Sequence, residues 1–118
     1  MTDILLVEDD VPIREVIAAI LEDEGYEIAT AANGQEALDY LQSTDTLPKL
    51  ILLDLNMPVM TGWEFRKHQQ QDPVLNGVPI VVVSAIASMD AQVHVWGEFI
   101  TKPIDYNRLI SIVQGYCQ

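Results

Sequence analysis

The sequence is poor in cysteine, in positive charge and in long apolar segments. Its one cysteine, Cys117, cannot form a disulfide within the chain, which is typical of a cytoplasmic protein. Six Lys and Arg residues stand against 18 Asp and Glu residues, giving a formal net charge of -12. This charge repels nucleic acids and anionic membranes, so we expect neither as a partner.

Several protein classes are disfavoured by what the chain lacks. The longest apolar run, residues 78–83, is far below the roughly 18 residues that suggest a membrane span. No apolar leader opens the chain, so we expect no export. It has neither a Gly-rich dinucleotide fingerprint nor a P-loop. Apolar residues make up 49% of the 118 positions, enough for a core, and we expect residues 1–118 to form one domain.

Apolar periodicity alternates between the strand and the helix pattern. Continuous apolar runs predict strands buried on both faces at residues 4–7, 50–53 and 80–83. Alternating residues predict a half-exposed edge strand at 26–30, and a short fifth strand is expected at 98–101. Five strands alternating with five helices predict an α/β sandwich with a parallel sheet.

The first and last helices have the clearest patterns. Asp10 can cap the first helix, Pro12 lies in its first turn and Gly25 ends it. Asp105 can cap the last helix in the same way. Weaker patterns predict helices near residues 35–42 and 62–71, with the glutamines at 69–71 on a solvated face.

Polar residues cluster where the predicted strands end. Glu8, Asp9 and Asp10 follow the first strand, Asp54 the third, Ser84 the fourth, and Lys102 with Pro103 the fifth. Open parallel sheets bind ligands at the carboxyl ends of their strands. We therefore expect these side chains on one rim.

Carboxylates gathered on one rim repel each other, by about 4 kcal/mol per pair at 4 Å and an effective dielectric of 20. A divalent cation relieves that repulsion, and oxygen ligands favour Mg²⁺, which also binds phosphate oxygens. Lys102 adds a positive charge and Ser84 a hydroxyl donor. Asp54 could then attack phosphorus and form an acyl phosphate.

The chain carries four short motifs in a fixed order. They are Ile4-Leu5-Leu6-Val7-Glu8-Asp9-Asp10, Leu53-Asp54-Leu55-Asn56-Met57-Pro58 with Met60 and Gly62 following, Ser84-Ala85, and Thr101-Lys102-Pro103. Together they resemble the receiver domain of two-component response regulators, the CheY-like family, over essentially the whole chain. The resemblance implies a flavodoxin-like, three-layer fold with a five-stranded parallel sheet in the order 2-1-3-4-5.

The resemblance also implies roles for the acidic residues. Asp54 corresponds to the phosphoacceptor, and Glu8 and Asp9 to the acidic pair that holds Mg²⁺ beside it. Asn56 corresponds to the residue whose backbone carbonyl also ligates the metal. Asp10 falls outside the pair and is expected only to cap a helix.

Four further positions match the family at the fourth and fifth strands. Ser84 resembles the hydroxyl residue that hydrogen-bonds the phosphoryl group, and Lys102 the cation that pairs with it. Pro103 is expected to follow a cis peptide bond. Phe99 matches the aromatic switch position, where a population shifts between two surfaces. Phe lacks the hydroxyl of Tyr, so we predict a switch governed by packing alone.

One spacing departs from the family pattern. Ser84 and Lys102 are only 18 positions apart, short by about one helical turn, or roughly four residues. We expect the missing turn within residues 88–95, in the fourth of the five predicted helices, with Trp96-Gly97 before the fifth strand. A nonstandard partner surface is the consequence that we predict.

The main hypothesis is a stand-alone phosphoacceptor switch that uses Mg²⁺. Its phosphoryl donor would be a histidine kinase or a histidine phosphotransfer protein, and its output a downstream protein that the sequence does not identify. Only 16 residues follow Lys102, so no output domain is expected. An alternative is a metal-dependent phosphatase with an aspartate nucleophile, although such enzymes need an Asp at position 56, which is Asn here. A third is an unphosphorylated binding module of the same fold.

Overall fold

The computed structural model describes residues 2–85 and 98–117, which contain a five-stranded sheet. Its strands are β1 (Ile4–Val7), β2 (Ile28–Ala31), β3 (Leu50–Leu53), β4 (Ile80–Ser84) and β5 (Phe99–Thr101). They lie in the order β2-β1-β3-β4-β5, and every neighbouring pair is parallel. The predicted fold class and strand order are confirmed.

Four helices belong to the described part of the chain. They are α1 (Val11–Asp23), α2 (Gly34–Ser43), α3 (Gly62–Gln71) and α4 (Tyr106–Tyr116). None of these four is long and apolar enough to cross a membrane. The shortened helix predicted within residues 88–95, and Trp96-Gly97 after it, lie outside the described residues.

The sheet is covered on both faces, which explains the continuous apolar runs of its central strands. Successive strand residues point to opposite faces, so each run supplies two cores. One core joins alternate strand residues to α2 and α3, and includes Leu5, Val7, Ile51, Leu53, Val82, Leu38 and Phe65. The other joins the intervening residues to α1 and α4, and includes Ile4, Leu6, Leu52, Val81, Val83, Ile17 and Leu109.

Helix capping follows the sequence pattern. The Asp10 side chain accepts a hydrogen bond from Ile13 N at 3.0 Å, and Asp105 accepts one from Arg108 N at 3.2 Å. Gly25, with a φ of 96°, follows the end of α1 in a conformation that glycine tolerates best. Capping thus fixes where α1 and α4 begin, a few residues after β1 and β5.

The predicted start of the edge strand is wrong by two residues. Strand β2 begins at Ile28, because the Tyr26 N–H donates to Leu21 O at 3.2 Å and so belongs to the turn that ends α1. Strand β5 begins at Phe99 rather than at residue 98, and β4 extends through Ser84. The shifts leave the order of the strands unchanged.

The prediction of a solvated face for the glutamines at 69–71 is wrong for the first of them. Gln69 is fully buried. Its Nε2 donates to Leu75 O and to Val78 O, each at 2.9 Å, and its Oε1 accepts from Arg66 Nη1 at 2.6 Å. The hydrogen bonds of Gln69 therefore connect the end of α3 to the loop before β4.

Candidate functional site

The register of the sheet brings the site residues together. Val7 of β1 lies beside Leu53 of β3, so the next residues, Glu8 and Asp54, leave the sheet as neighbours. Thr101 of β5 pairs with Ser84 of β4, and Lys102 follows Thr101. Parallel strands end at the same edge, so these polar residues occupy one rim.

The predicted acidic residues meet in space. One carboxylate oxygen from each of Glu8, Asp9 and Asp54 lies within 4.8 Å of the other two. Lys102 Nζ is 2.8 Å from Glu8 Oε1 and 3.4 Å from Asp54 Oδ2. The Ser84 side chain is buried at the end of β4. The structure thus places the predicted acidic cluster and its lysine at a single site.

Burial divides the three carboxylates into two kinds. Glu8 is 1% exposed and Asp54 is 4% exposed, whereas Asp9 is exposed to solvent. Asp54 N donates to Val7 O at 3.0 Å, and Asn56 N approaches Asp54 Oδ1 at 3.4 Å, so backbone contacts hold the Asp54 segment. Two acidic groups are therefore buried and held in place, and the third, Asp9, faces solvent.

Electrostatics make Glu8 the unusual group of the site. Burial raises the Glu8 pKa from 4.5 to about 7, and the nearby Asp54 carboxylate adds to the rise, against the opposing effect of Lys102. Burial alone would lower the Lys102 pKa, but the hydrogen bond to Glu8 and the charge of Asp54 outweigh it and leave the pKa raised. Lys102 therefore stays charged, shared between two carboxylates.

The donor set fits a hard divalent cation. Three carboxylates and one ammonium leave two net negative charges when all are ionised, which one divalent cation neutralises. Glu8 Oε1 is buried. Among the described residues, its one polar contact is the ion pair with Lys102. Oxygen-only donors with one solvent-facing member suit Mg²⁺, which keeps several waters. Such a cluster could bind a metal ion.

The loop after β3 is held close to Asp54 by a glycine. A Cβ at Gly62 would overlap the Asp54 carbonyl oxygen and come within 2.8 Å of Leu55 Cα. Gly62 N also donates to Leu55 O at 3.0 Å. Within this loop Val59 has a φ of 68° and is 80% exposed, an unusual conformation for a β-branched residue. Close approach of α3 thus fixes the segment that carries the acidic group.

The structure also describes two further predicted residues, Pro103 and Phe99. The peptide bond between Lys102 and Pro103 is cis, as predicted. Phe99 is partly buried and packs against the core formed with α2 and α3, next to Val82 of β4. The ring of Phe99 therefore contacts the core while remaining partly exposed, and its part in a switch stays a prediction.

Arg14 is a residue of the site that the sequence reasoning missed. Its Nη1 donates to Glu8 O at 2.9 Å, across the start of α1. An arginine in the first turn of a helix that follows an acidic strand end was the available signal. It was missed because a helix surface position of this kind usually faces solvent.

Comparisons with known proteins point in one direction. A family model described as the response regulator receiver domain matches residues 4–114. The response regulator Rre1 of Synechocystis is 34% identical over 117 residues, which are 95% of this chain and 50% of Rre1. The chain therefore spans about half the length of that relative.

Solved structures give the same likeness. The chemotaxis protein CheY4 of Vibrio cholerae is 32% identical, with a TM-score of 0.83 and 98% of each chain covered. The response regulator TrrA of Thermotoga maritima, crystallised in complex with Mg²⁺ and BeF, is 30% identical. Its TM-score is 0.83, and the match covers 98% of this chain and 99% of TrrA.

Proposed function

Because the chain belongs to the response regulator receiver domain family, a family of phosphoacceptor switches in two-component signalling, we propose that Asp54 is its phosphoacceptor. One observation carries the proposal. The Asp54 carboxylate lies 3.4 Å from Lys102 Nζ and beside the carboxylates of Glu8 and Asp9. A carboxylate held among a cation and metal-type ligands is suited to attack phosphorus.

The proposed transfer is a single displacement. An oxygen of Asp54 forms a bond to phosphorus while the bond from phosphorus to the donor's imidazole nitrogen breaks. The electron pair stays on the imidazole, which takes up a proton from solvent. Lys102 shifts from Glu8 and Asp54 toward the phosphoryl oxygens and offsets their charge. The product is an aspartyl phosphate.

Glu8, Asp9, Asp54 and the backbone carbonyl of Asn56 would hold Mg²⁺ in this scheme. Bound Mg²⁺ supplies charge neutralisation at the phosphoryl oxygens. The carboxylate cluster supports this assignment, as does the relative TrrA, which was crystallised with Mg²⁺ and BeF. The chain's own residues position the reacting oxygen and keep it largely out of bulk water.

The output is proposed to run through Ser84 and Phe99. The hydroxyl of Ser84 would hydrogen-bond the phosphoryl group, and the Phe99 ring would repack in response. Phe99 already contacts the core formed with α2 and α3, which supports a switch driven by packing. Phe99→Ala should therefore change the affinity for a partner in a binding assay, and an unchanged affinity contradicts the role.

Receiver domains interact with histidine kinases and downstream effectors. For this chain we propose a histidine kinase or a histidine phosphotransfer protein as the donor. We propose that the chain itself catalyses only the transfer of the phosphoryl group to Asp54 and its slow hydrolysis. Residues 1–118 are proposed to form one receiver domain, and a cytoplasmic location stays a prediction from cysteine content.

Neither alternative hypothesis gains support from the site. A phosphatase of the aspartate-nucleophile class needs an acidic residue two positions after Asp54, and that residue is Asn56. An unphosphorylated binding module has no need of a lysine held between two buried carboxylates, as Lys102 is here. Turnover of a small phosphate ester would identify the phosphatase. Absence of a phosphoryl adduct on Asp54 would identify the binding module.

Intact mass spectrometry tests the proposal. Wild type, Asp54→Asn and Asp10→Asn are each incubated with acetyl phosphate, with and without Mg²⁺. Asp10 is the matched control because it lies in the same acidic run but caps α1. We expect one phosphoryl adduct in wild type and Asp10→Asn, with Mg²⁺ only. An equal adduct in Asp54→Asn would move the acceptor elsewhere.

A further inference from the structure

The Asp9 carboxylate lies at the candidate metal site, but no contact with another described side chain holds it there. Its carboxylate is exposed and makes no hydrogen bond or ion pair with another described residue. The directions of Glu8 and Asp54 are set by burial and by Lys102. The direction of Asp9 must therefore come from its backbone.

Side chains hold both peptide groups that flank Asp9. On the N-terminal side, the carbonyl of Glu8 accepts from Arg14 Nη1 at 2.9 Å. On the C-terminal side, the N–H of Asp10 donates to Glu8 Oε2 at 3.2 Å. With both planes fixed, the Cα–Cβ bond of Asp9 has a defined direction, which limits its carboxylate to the few positions that staggered rotamers allow.

Arg14 is anchored at both ends for this task. Its backbone N–H donates to Asp10 O at 2.9 Å in the first turn of α1. Its guanidinium reaches back six residues to Glu8, and among the described residues it makes no ion pair with any of the three carboxylates. Arg14 thus hydrogen-bonds to a carbonyl and forms no ion pair with these carboxylates. Its position suits holding the backbone in place rather than neutralising charge.

We infer that Arg14 is a positioning residue that orients Asp9 for binding of the divalent cation. The inference deepens the proposed function and rests on its metal site. Charge and geometry predict opposite effects of removing Arg14. The guanidinium repels an approaching cation, so charge alone predicts tighter Mg²⁺ binding when it is lost. Loss of the bond to Glu8 O predicts weaker binding, because outer partners of metal ligands commonly contribute ten-fold or more to affinity.

Calorimetric titration with Mg²⁺ shows whether the loss of Arg14 weakens or tightens Mg²⁺ binding. The variants are Arg14→Met, with Arg14→Gln as a second form should Met fold poorly, and Arg108→Met as the control. Arg108 is exposed at the start of α4, so its loss changes the net charge equally. We expect the Kd of Arg14→Met to rise about ten-fold. Arg108→Met should stay within about two-fold of wild type.

A double variant shows whether Arg14 acts through Asp9. In an Asp9→Asn background, Arg14→Met should change the Kd by less than about two-fold, since no carboxylate remains to orient. Unchanged or tighter binding by Arg14→Met, or equal weakening in both backgrounds, overturns the inference. Failure of wild type to bind Mg²⁺ overturns the metal site of the proposed function instead, so the two failures are distinct.

Discussion

The raised pKa of Glu8 predicts how stability depends on pH. Burial puts the Glu8 pKa at about 7 in the folded protein, against 4.5 for an unperturbed carboxyl group. Between these values the unfolded chain loses the Glu8 proton while the folded protein keeps it. Folding then favours the protonated form, so the free energy of unfolding falls as the pH rises through this window.

The size of the effect follows from the two pKa values. A rise from 4.5 to about 7 corresponds to about 3 kcal/mol, lost between about pH 4 and about pH 8 in the absence of metal. The Glu8 contribution is isolated by comparison with a matched variant. Glu8→Gln removes this titration while preserving the shape of the side chain, which makes the difference between the two proteins the useful quantity.

Urea unfolding in EDTA across this pH range measures that difference. The free energy of unfolding of wild type relative to Glu8→Gln should fall by about 3 kcal/mol from low to high pH. Glu22→Gln removes a carboxylate from the exposed surface of α1 and serves as the control. Its free energy of unfolding should change with pH in the same way as that of wild type. A difference that stays flat, or grows with pH, refutes the assignment of a buried, proton-binding Glu8.

Three further substitutions test the ion pairs and the packing of the folded protein, and a fourth serves as a control. Lys102→Met leaves two buried carboxylates without a counter-charge and should lower the free energy of unfolding by about 3 kcal/mol in EDTA, measured with urea. Gly62→Ala forces α3 off the Asp54 backbone and should lower it by about 2 kcal/mol, whereas Gly115→Ala, which meets open space in α4, should raise it slightly. Gln69→Ala removes the side-chain donor to Val78 O and leaves Leu75 O with the Val78 N–H alone, so it should cost about 2 kcal/mol in thermal unfolding, and a loss below about 0.5 kcal/mol would contradict the role of Gln69.

The sequence predicts the sheet well because burial on both faces leaves a strong pattern. Continuous apolar runs marked Ile4–Val7 and Leu50–Leu53 without ambiguity. The rim followed from topology, since parallel strands bring their carboxyl ends to one edge. Asp54, Glu8 and Lys102 were thus predictable as neighbours.

Other features depend on contacts that no local pattern encodes. Three consecutive glutamines suggest a solvated helix face, yet Gln69 is buried because the carbonyls of Leu75 and Val78 fold back over the end of α3. The closer approach of Lys102 to Glu8 than to Asp54 depends on side-chain rotamers, which spacing does not determine. Such distances had to come from the structure.

The most direct test of the central claim is chemical mapping of the phosphorylated residue. After incubation with acetyl phosphate and Mg²⁺, borohydride reduction converts an aspartyl phosphate to homoserine, and peptide mass mapping locates the change. Conversion at position 54, absent when Mg²⁺ is omitted, is the predicted result. Conversion at Glu8, Asp9 or another carboxyl group, with Asp54 left intact, would contradict the account.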